Sequence, residues 1–180
     1  MTPKNIVQKA SLAILFFTCS AQAWDPADLQ KKIEKADEAK AELLGTDPSM
    51  QRFFDSASGW VIIPTVGKGA VGIGGARGTG LLYEAGEPTH EVTLSQLTIG
   101  FQWGGQAYSE FIFFKDEDAL NHFKRGNFEL GAQASAVAVR TGASVDANYS
   151  NGVAIFTSVK GGLMYEASVG GQKFKVKALD

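Results

Sequence analysis

Cysteine and histidine are almost absent from this 180-residue chain, which limits the chemistry it can perform. Cys19 is the single cysteine, so the region after residue 23 can form neither a disulfide nor a thiol nucleophile. His90 and His122 lie in separate segments without a cysteine partner, and we interpret them as surface histidines rather than zinc ligands. Long apolar runs are also missing: the run from Ala10 to Phe17 is too short to span a bilayer as a stable anchor.

The first 23 residues have the pattern of a secretory signal peptide. Lys4 and Lys9 precede the apolar run, and Ala21-Gln22-Ala23 is an A-x-A cleavage site. We therefore predict residues 1–23 as a cleaved signal, residues 24–180 as one domain, and a periplasmic or envelope-associated location. Lipoprotein anchoring through Cys19 is the less favoured alternative, because Phe-Phe-Thr precedes the cysteine where a lipoprotein signal prefers leucine and a small residue.

The chain lacks an excess of positive charge. The chain has 17 basic and 19 acidic residues, and removing the signal takes away Lys4 and Lys9 alone, which leaves 15 against 19 and a formal net charge of −4. Such a domain is a poor candidate for nucleic-acid binding. Any attraction to an anionic partner must be local.

Glycine is abundant in one stretch, from Gly59 to Tyr83. Half of the positions from Gly67 to Gly80 are glycine, with Lys68 and Arg77 as the only charges between them. Glycine allows another backbone or a ligand to approach closely, so we predict bent or bulged strands after an apolar run that stops at Pro64. Two cations among exposed amide groups predict a site for an anionic headgroup.

The elements on either side of this stretch predict the fold class. Residues 24–45 form an amphipathic helix with a narrow apolar stripe, a second short helix follows Pro48, and Asp116 to Arg125 is a third. The apolar face of the first helix can dock on its own domain, which we favour, or meet a membrane or a partner helix. We predict an α+β domain: a twisted, largely antiparallel, glycine-rich sheet closing towards a barrel, with two N-terminal helices and one mid-chain helix.

Several features of the strands can be read from alternation. A change of parity predicts a bulge near Ser95-Gln96, Gly104-Gly105 predicts a hairpin, and the run Phe111 to Phe114 should be covered on both faces. Residues 128–141 favour strand over helix, and the C-terminal part is read as an antiparallel meander. Its last strand places three lysines on one face, which solubilise an edge strand or bind an anion: Lys173, Lys175 and Lys177.

Sequence motifs for catalysis are weak. Residues 67–72 match G-x-G-x-x-G, but the glycines that follow cannot open the helix that a dinucleotide site requires. Ser109-Glu110 and Ser150-Asn151 place hydroxyls near polar groups without a nucleophile signature. We therefore expect no enzyme, no cofactor and no metal site.

Taken together, four spaced motifs resemble the SYLF family: Pro64-x3-Lys68-x3-Gly72, Gly74-Gly75-x2-Gly78-x-Gly80, Gly100-x4-Gly105-Gln106 and Lys160-Gly161-Gly162-Leu163. The likeness covers nearly all of residues 24–180. It implies a non-catalytic lipid-binding module, since eukaryotic SYLF domains bind phosphoinositides and actin. The acidic balance of the first helix and the export signal depart from the eukaryotic pattern, so a bacterial envelope lipid is the expected anion.

These observations lead to one functional hypothesis and one alternative. The hypothesis is binding of anionic phospholipid through a glycine-rich basic site, in which Lys68 and Arg77 bind phosphate together and a tryptophan ring rests at the membrane interface. The candidate residues are Lys68, Arg77, Lys160, Trp60, Trp103, Lys173, Lys175 and Lys177. The alternative is an envelope protein-interaction module that uses the N-terminal helix.

Overall fold

The computed structural model describes residues 25–71, 73–99, 106–126, 128–131, 135–142, 148–160 and 167–179. Within these ranges the chain forms three α-helices, a short 3-10 turn and a large curled sheet, so the predicted α+β class is confirmed. The helices are α1 (Pro26–Thr46), α2 (Gln51–Ser56), which follows the 3-10 turn Pro48–Met50, and α3 (Glu117–Lys124). The predicted hairpin at Gly104-Gly105 lies outside the described residues.

The sheet is built from nine strands within the described part of the chain. They are β1 (Gly59–Val71), β2 (Ile73–Glu84), β3 (Glu87–Ile99), β4 (Gln106–Phe114), β5 (Phe128–Glu129), β6 (Ser135–Ala138), β7 (Val153–Val159), β8 (Ala167–Ser168) and β9 (Gln172–Ala178). Their spatial order is β5-β9-β3-β2-β1-β4-β7-β6-β8, and the pairs are antiparallel except β6–β7.

The sheet curls into a half-barrel. Gln172 on β9 donates through its side-chain amide to the Tyr108 hydroxyl (3.3 Å) and to a Glu110 carboxylate oxygen (2.9 Å), although β9 and β4 are separated by three strands in the sheet order. Such contacts require the two strands to face each other across the inner surface. The curvature predicted from the glycine-rich composition is therefore confirmed.

Alternation along each strand divides the core into an inner and an outer part. The inner part lies within the curl and includes Val61, Ile63, Tyr108 and Ile112. The outer part lies between the convex face and the N-terminal helices. It contains Trp60, Ile62, Leu81, Phe111 and Phe113 on the sheet and Ala36, Ala39, Leu43 and Phe53 on the helices. Phe111 to Phe114 are fully buried, which confirms that both faces of β4 are covered.

Helix α1 docks on its own domain, as favoured from the sequence. Asp25 caps it by accepting a hydrogen bond from the Ala27 amide (2.9 Å), and Pro26 occupies the first turn, where a missing N–H group costs nothing. The buried residues Ala36, Ala39 and Leu43 form the apolar stripe that contacts β1 and β2. The stripe is thus used within the domain, and the outward face of the helix is charged.

Pro64 does not stop the first strand, contrary to the sequence prediction. Strand β1 continues to Val71, and an extra residue is accommodated between Ile62 and Val66, where the register with β2 shifts. The bulged backbone lies against Gly80 of β2, since a Cβ atom there would stand 2.1 Å from the Ile62 carbonyl oxygen. Close backbone approach at a glycine is therefore confirmed, and the proline sits in the irregular part of the strand where a lost donor is tolerated.

The predicted bulge at Ser95-Gln96 is wrong. Both residues pair in continuous register with β2 and β9, and the irregularity of this strand pair lies instead between Leu82 and Tyr83. The apparent parity change has another cause: Gln96 is a buried polar residue that donates to the Gly170 carbonyl, while Leu97 points outwards and is 73% exposed.

The predicted C-terminal meander is also wrong. Strand β7 pairs with β4, β8 pairs with β6, and β9 pairs with β3 and the two-residue β5. Strands β7 and β9 therefore lie on opposite sides of the β1–β2 pair. Gly-Gly pairs indicate turns, but the partner of each strand is decided by long-range packing.

Candidate anion-binding surface

Lys68 and Arg77 do not form one phosphate site, because their side chains lie on opposite faces of the sheet. Lys68 pairs with Ala76, and Arg77 pairs with Gly67. Paired residues share a face and successive residues alternate. Ala76 belongs to the inner core, so Lys68 faces inwards and is partly exposed, while Arg77 faces outwards and is exposed.

Arg77 instead belongs to a row of residues on the outer face. Its register partners across successive strands are Ser95 and Lys173 on one side and Gly67 and Ala107 on the other. The Lys160 amide donates to the Ala107 carbonyl (3.0 Å) and extends the row by one more strand. We call Lys173, Ser95, Arg77, Gly67, Ala107 and Lys160 the rim row.

The rim row lies near the end of the sheet at which β1, β3 and β7 end and β2, β4 and β9 begin, which we call the glycine rim. At a strand spacing of about 4.8 Å, the backbones of Arg77 and Lys173 are about 10 Å apart and those of Arg77 and Lys160 about 14 Å apart. Gly67 and Ala107 lie between Arg77 and Lys160 in the row, and neither has a large side chain. On the convex face these basic side chains are spaced for separate anionic groups of one surface rather than for a single bound anion.

The charges of the row are weakly compensated. Lys173 forms an exposed ion pair with Glu129 (3.4 Å), whereas Arg77 forms no ion pair with any residue that the structure describes. Exposed pairs of this kind contribute roughly 0–1 kcal/mol and are readily exchanged for another anion. Lys173 and Arg77 are thus both available to a ligand.

Lys175 and Lys177 continue the basic outer face of β9 away from the rim. The alternation predicted for this strand is confirmed, with the lysines exposed while Phe174 is buried and Val176 half-buried. Lys175 pairs in register with Thr93, and Lys177 with Glu91, whose carboxylate is held by Lys32 of α1. Positive charge is therefore most concentrated towards the rim.

A cleft that sequence reasoning missed adjoins this face. Its volume is about 270 Å³, and it lies between α1 and the bulge of β1, lined by Lys32, Lys35, Pro64, Thr65, Thr79 and Gly80. Thr79 lies two residues from Arg77 on the same face of β2. Lys35 gave no signal in the sequence, because only the docking of α1 brings it beside the sheet.

Leu97 adds an apolar contact to the same surface. It pairs with Gly75, lies two residues beyond Ser95 on the outer face, and is the large apolar side chain found most exposed among the described residues. The alternation of β3 could have located it, had the buried Gln96 not been read as a parity change.

The two tryptophans predicted as site residues have different outcomes. Trp60 is 9% exposed and packs between Phe54, Tyr83 and the α1 side chain of Lys40, so its predicted position at a membrane interface is wrong. Trp103 lies between the described ends of β3 and β4, outside the described residues, and its role stays a prediction.

A buried polar cluster occupies the inner face of the half-barrel. Gln172 joins Tyr108 and Glu110 as described above, and Glu110 is fully buried. Removal from solvent raises the pKa of Glu110 to about 8, which the hydrogen bond from Gln172 opposes. Oε1 of Glu110 has no hydrogen-bond partner among the described residues.

Other chemistry-bearing residues have structural partners. Ser109 donates to the Pro64 carbonyl (2.9 Å), His90 contacts the Thr89 hydroxyl, and His122 contacts the Arg125 guanidinium. Within the described ranges no group of three or more histidine, cysteine or acidic residues is positioned to hold a metal ion. No described helix is both long and apolar enough to cross a bilayer.

Comparison with known proteins gives two findings. Residues 95–178 match the family model described as "Ysc84: Las17-binding protein actin regulator". The chain is 27% identical over 142 residues to Beta cell expansion factor A of Aeromonas veronii, a match that covers 77% of this chain and 53% of the relative. The chain thus spans about half the length of this curated relative. Residues 95–178 contain β9, all three residues of the buried polar cluster and four residues of the rim row, whereas Gly67 and Arg77 lie outside the match.

Proposed function

Residues 95–178 belong to the SYLF (Ysc84) family, and from that premise we propose that this chain binds anionic phospholipid at a bacterial envelope membrane without catalysing a reaction. The proposal includes export by the N-terminal signal and removal of residues 1–23. The surface that meets the lipid is the rim row, together with Leu97 and the cleft beside Lys35.

The main support for the proposal is that the cations lie at the same level along neighbouring strands. Arg77, Lys160 and Lys173 belong to one transverse row, and Lys68 lies one residue from it on the inner face. All four were candidate residues from the sequence, in three separate stretches of the chain. Their position at one rim supports contact with one anionic surface more strongly than isolated surface lysines do.

The geometry suits a headgroup at a surface rather than an enclosed molecule. The row is open to solvent, its cations are spaced for phosphate groups of neighbouring lipids, and exposed Leu97 can enter the interfacial region beside them. The net charge of −4 for residues 24–180 opposes nonspecific attraction to anionic membranes, so binding depends on this local cation cluster.

A second candidate function is recognition of a protein partner, as the Las17-binding description of the family model suggests. Because the apolar stripe of α1 is buried against β1 and β2, a partner of this helix would contact its charged outward face. Binding would then be retained in the absence of lipid and lost with high salt.

Flotation with liposomes tests the proposal. We expect the protein to float with vesicles containing phosphatidylglycerol and to stay with the soluble fraction when vesicles contain only phosphatidylcholine. The double variant Arg77→Glu/Lys173→Glu should lose most of the binding, roughly tenfold or more for two reversed charges. The matched control is Lys31→Glu/Lys115→Glu, which changes the same net charge on exposed residues away from the row.

Equal retention of both double variants would contradict the proposal, since it would show that net charge and not the rim row governs binding. Binding only after addition of another envelope protein would favour the second candidate function.

A further inference from the structure

A second cleft lies at the end of the sheet opposite the glycine rim, beneath α1 and α2. Its volume is about 220 Å³, and its lining combines aromatic rings with two carboxylates: Phe54, Trp60 and Tyr83 with Asp37 and Asp55, completed by Lys40, Gln51, Ile62 and Gly86. Ligand pockets for drug-sized molecules are about 300–1,000 Å³, so this cleft suits a single small group.

The rings of Phe54, Trp60 and Tyr83 pack against one another at an angle, and we call this arrangement the corner. Trp60 and Tyr83 are stacked, with centroids 6.0 Å apart and planes inclined by 10°. Phe54 stands edge-on to Trp60 at 5.5 Å and 86°. All three residues are at least nine-tenths buried, and their packing is set by two helices and two strands, so little conformational entropy remains to be lost on binding.

The corner already accepts a positive charge from the chain itself. The Lys40 ammonium lies 4.4 Å from the centroid of Phe54 and 5.7 Å from that of Trp60. Both distances are within the range of cation–π attraction, which is about 6 Å. Lys40 is half-buried on a flexible stem and can swing out to solvent.

Tyr83, which lines the same cleft, has a buried hydroxyl group. The Tyr83 hydroxyl is buried, the residue is 6% exposed, and no described residue forms a hydrogen bond with it. Burial, with a smaller contribution from the Asp37 charge, raises the pKa of Tyr83 to about 12, so the group is neutral and can donate or accept. A buried polar atom without a partner is uncommon, so a ligand group that reaches this hydroxyl gains a hydrogen bond.

We propose that this cleft binds an organic ammonium group, such as trimethylammonium or a primary amine, in place of the Lys40 side chain. The ring faces of Trp60 and Phe54 receive the cation, the Asp37 carboxylate balances its charge, and the Tyr83 hydroxyl binds a polar atom next to it. Asp55 is partly satisfied by Gln51, whose amide donates to it at 2.7 Å. With Lys40 displaced, the cleft has two carboxylates and no cation, so it selects against anions.

The proposal goes beyond anionic-lipid binding, because the cleft is formed by other residues at the other end of the sheet. The ammonium group has two sources: a free solute, or the headgroup of a zwitterionic lipid. Each source predicts the same contacts in the cleft, and they differ in whether a vesicle surface is bound.

The test is a calorimetric titration of the complete protein with choline, beside 3,3-dimethyl-1-butanol, which has the same shape without the charge. We expect choline to bind at millimolar concentrations and the neutral alcohol to bind about tenfold more weakly or not at all. Asp37→Asn should weaken choline binding about fivefold to tenfold, whereas Glu38→Gln, on the adjacent exposed position of α1, should leave it unchanged. Lys40→Gln should strengthen it, since the competing internal ammonium is removed.

Equal affinity for choline and the neutral alcohol, or no choline binding at these concentrations, overturns the proposal. Equal effects of Asp37→Asn and Glu38→Gln overturn it as well. Flotation with pure phosphatidylcholine vesicles identifies the source: retention of Lys40→Gln that Asp37→Asn abolishes assigns the lipid headgroup, and choline binding without retention assigns a free solute. Neither result depends on Arg77 or Lys173, so failure here leaves the rim row untouched.

Discussion

The carboxyl group of Glu110 shows how one residue couples the fold to pH. It is fully buried on the inner face of β4, where its pKa rises to about 8 from an ordinary value near 4.5. The folded protein therefore holds a proton between these two values that the unfolded chain releases. Stability is unaffected by this group below about pH 4, falls as pH rises from about 5 to 8, and levels off above.

We expect the free energy of unfolding to fall in this window with a slope approaching about 1.4 kcal/mol per pH unit from this residue. Glu110→Gln keeps the size of the protonated group and the hydrogen bond to Gln172 while it removes the titration. Urea unfolding at several pH values should therefore give a flatter stability profile for the variant, which becomes the more stable protein above pH 8. Parallel profiles for the two proteins would show that Glu110 does not titrate in this range.

The sequence predicted some features of the candidate site correctly and others wrongly. The lysines of β9 were placed on one face correctly, because alternation is a local property. The grouping of Lys68 with Arg77 was wrong, because the extra residue near Pro64 and the register of the hairpin decide which face each cation takes. The burial of Trp60 was missed, since it depends on α1 and α2 covering the outer face.

At the scale of elements, the bulge of β1 explains why glycine is required in β2. A Cβ atom at Gly80 would stand 2.1 Å from the Ile62 carbonyl oxygen and 2.8 Å from the Ile63 Cα atom, and both neighbours are backbone that cannot rotate away. At Gly67, on the other strand of the same hairpin, a Cβ atom would meet nothing within 4 Å. The two positions thus form a natural comparison.

We expect Gly80→Ala to destabilise the protein by about 2–4 kcal/mol, because the bulge must shift away from β2. Gly67→Ala should change stability by less than about 0.5 kcal/mol or increase it slightly. Thermal unfolding of both variants checks the prediction. A harmless Gly80→Ala would mean that the bulge does not press on β2 as described.

The helices and the long strands could be predicted from local signals, but the sheet order could not. Pro26 with Asp25, and Asp116 before α3, identify helix starts by capping chemistry. By contrast, the sequence of β7, β8 and β9 resembles a meander, whereas long-range packing places β7 and β9 on opposite sides of the β1–β2 pair. The predicted bulge at Ser95-Gln96 failed for the related reason that a core-facing polar residue mimics a change of face.

At the scale of the whole molecule, the net charge and the local charge of the rim row have opposite effects on the proposed membrane binding. In the proposed function, the acidic balance of residues 24–180 opposes binding to an anionic surface at long range, and the cations of the rim row favour it at short range. Raising the salt concentration from about 0.05 to 0.5 M shortens the Debye length from about 14 to 4 Å. We expect flotation with phosphatidylglycerol vesicles to decrease over this range, because the exposed cations are screened. Retention that is insensitive to salt would indicate apolar insertion as the dominant contribution.

The most direct test of the rim row as the membrane contact is to measure which end of the molecule meets the lipid. Cys19 is the single cysteine, so the protein beginning at residue 24 can carry one environment-sensitive fluorophore at an introduced cysteine, either Leu97→Cys beside the rim row or Lys115→Cys at the opposite end of the sheet. On addition of phosphatidylglycerol vesicles, we predict a blue shift and increased emission for the probe at position 97 and no change at position 115. A shift at position 115 with none at position 97 would contradict the account.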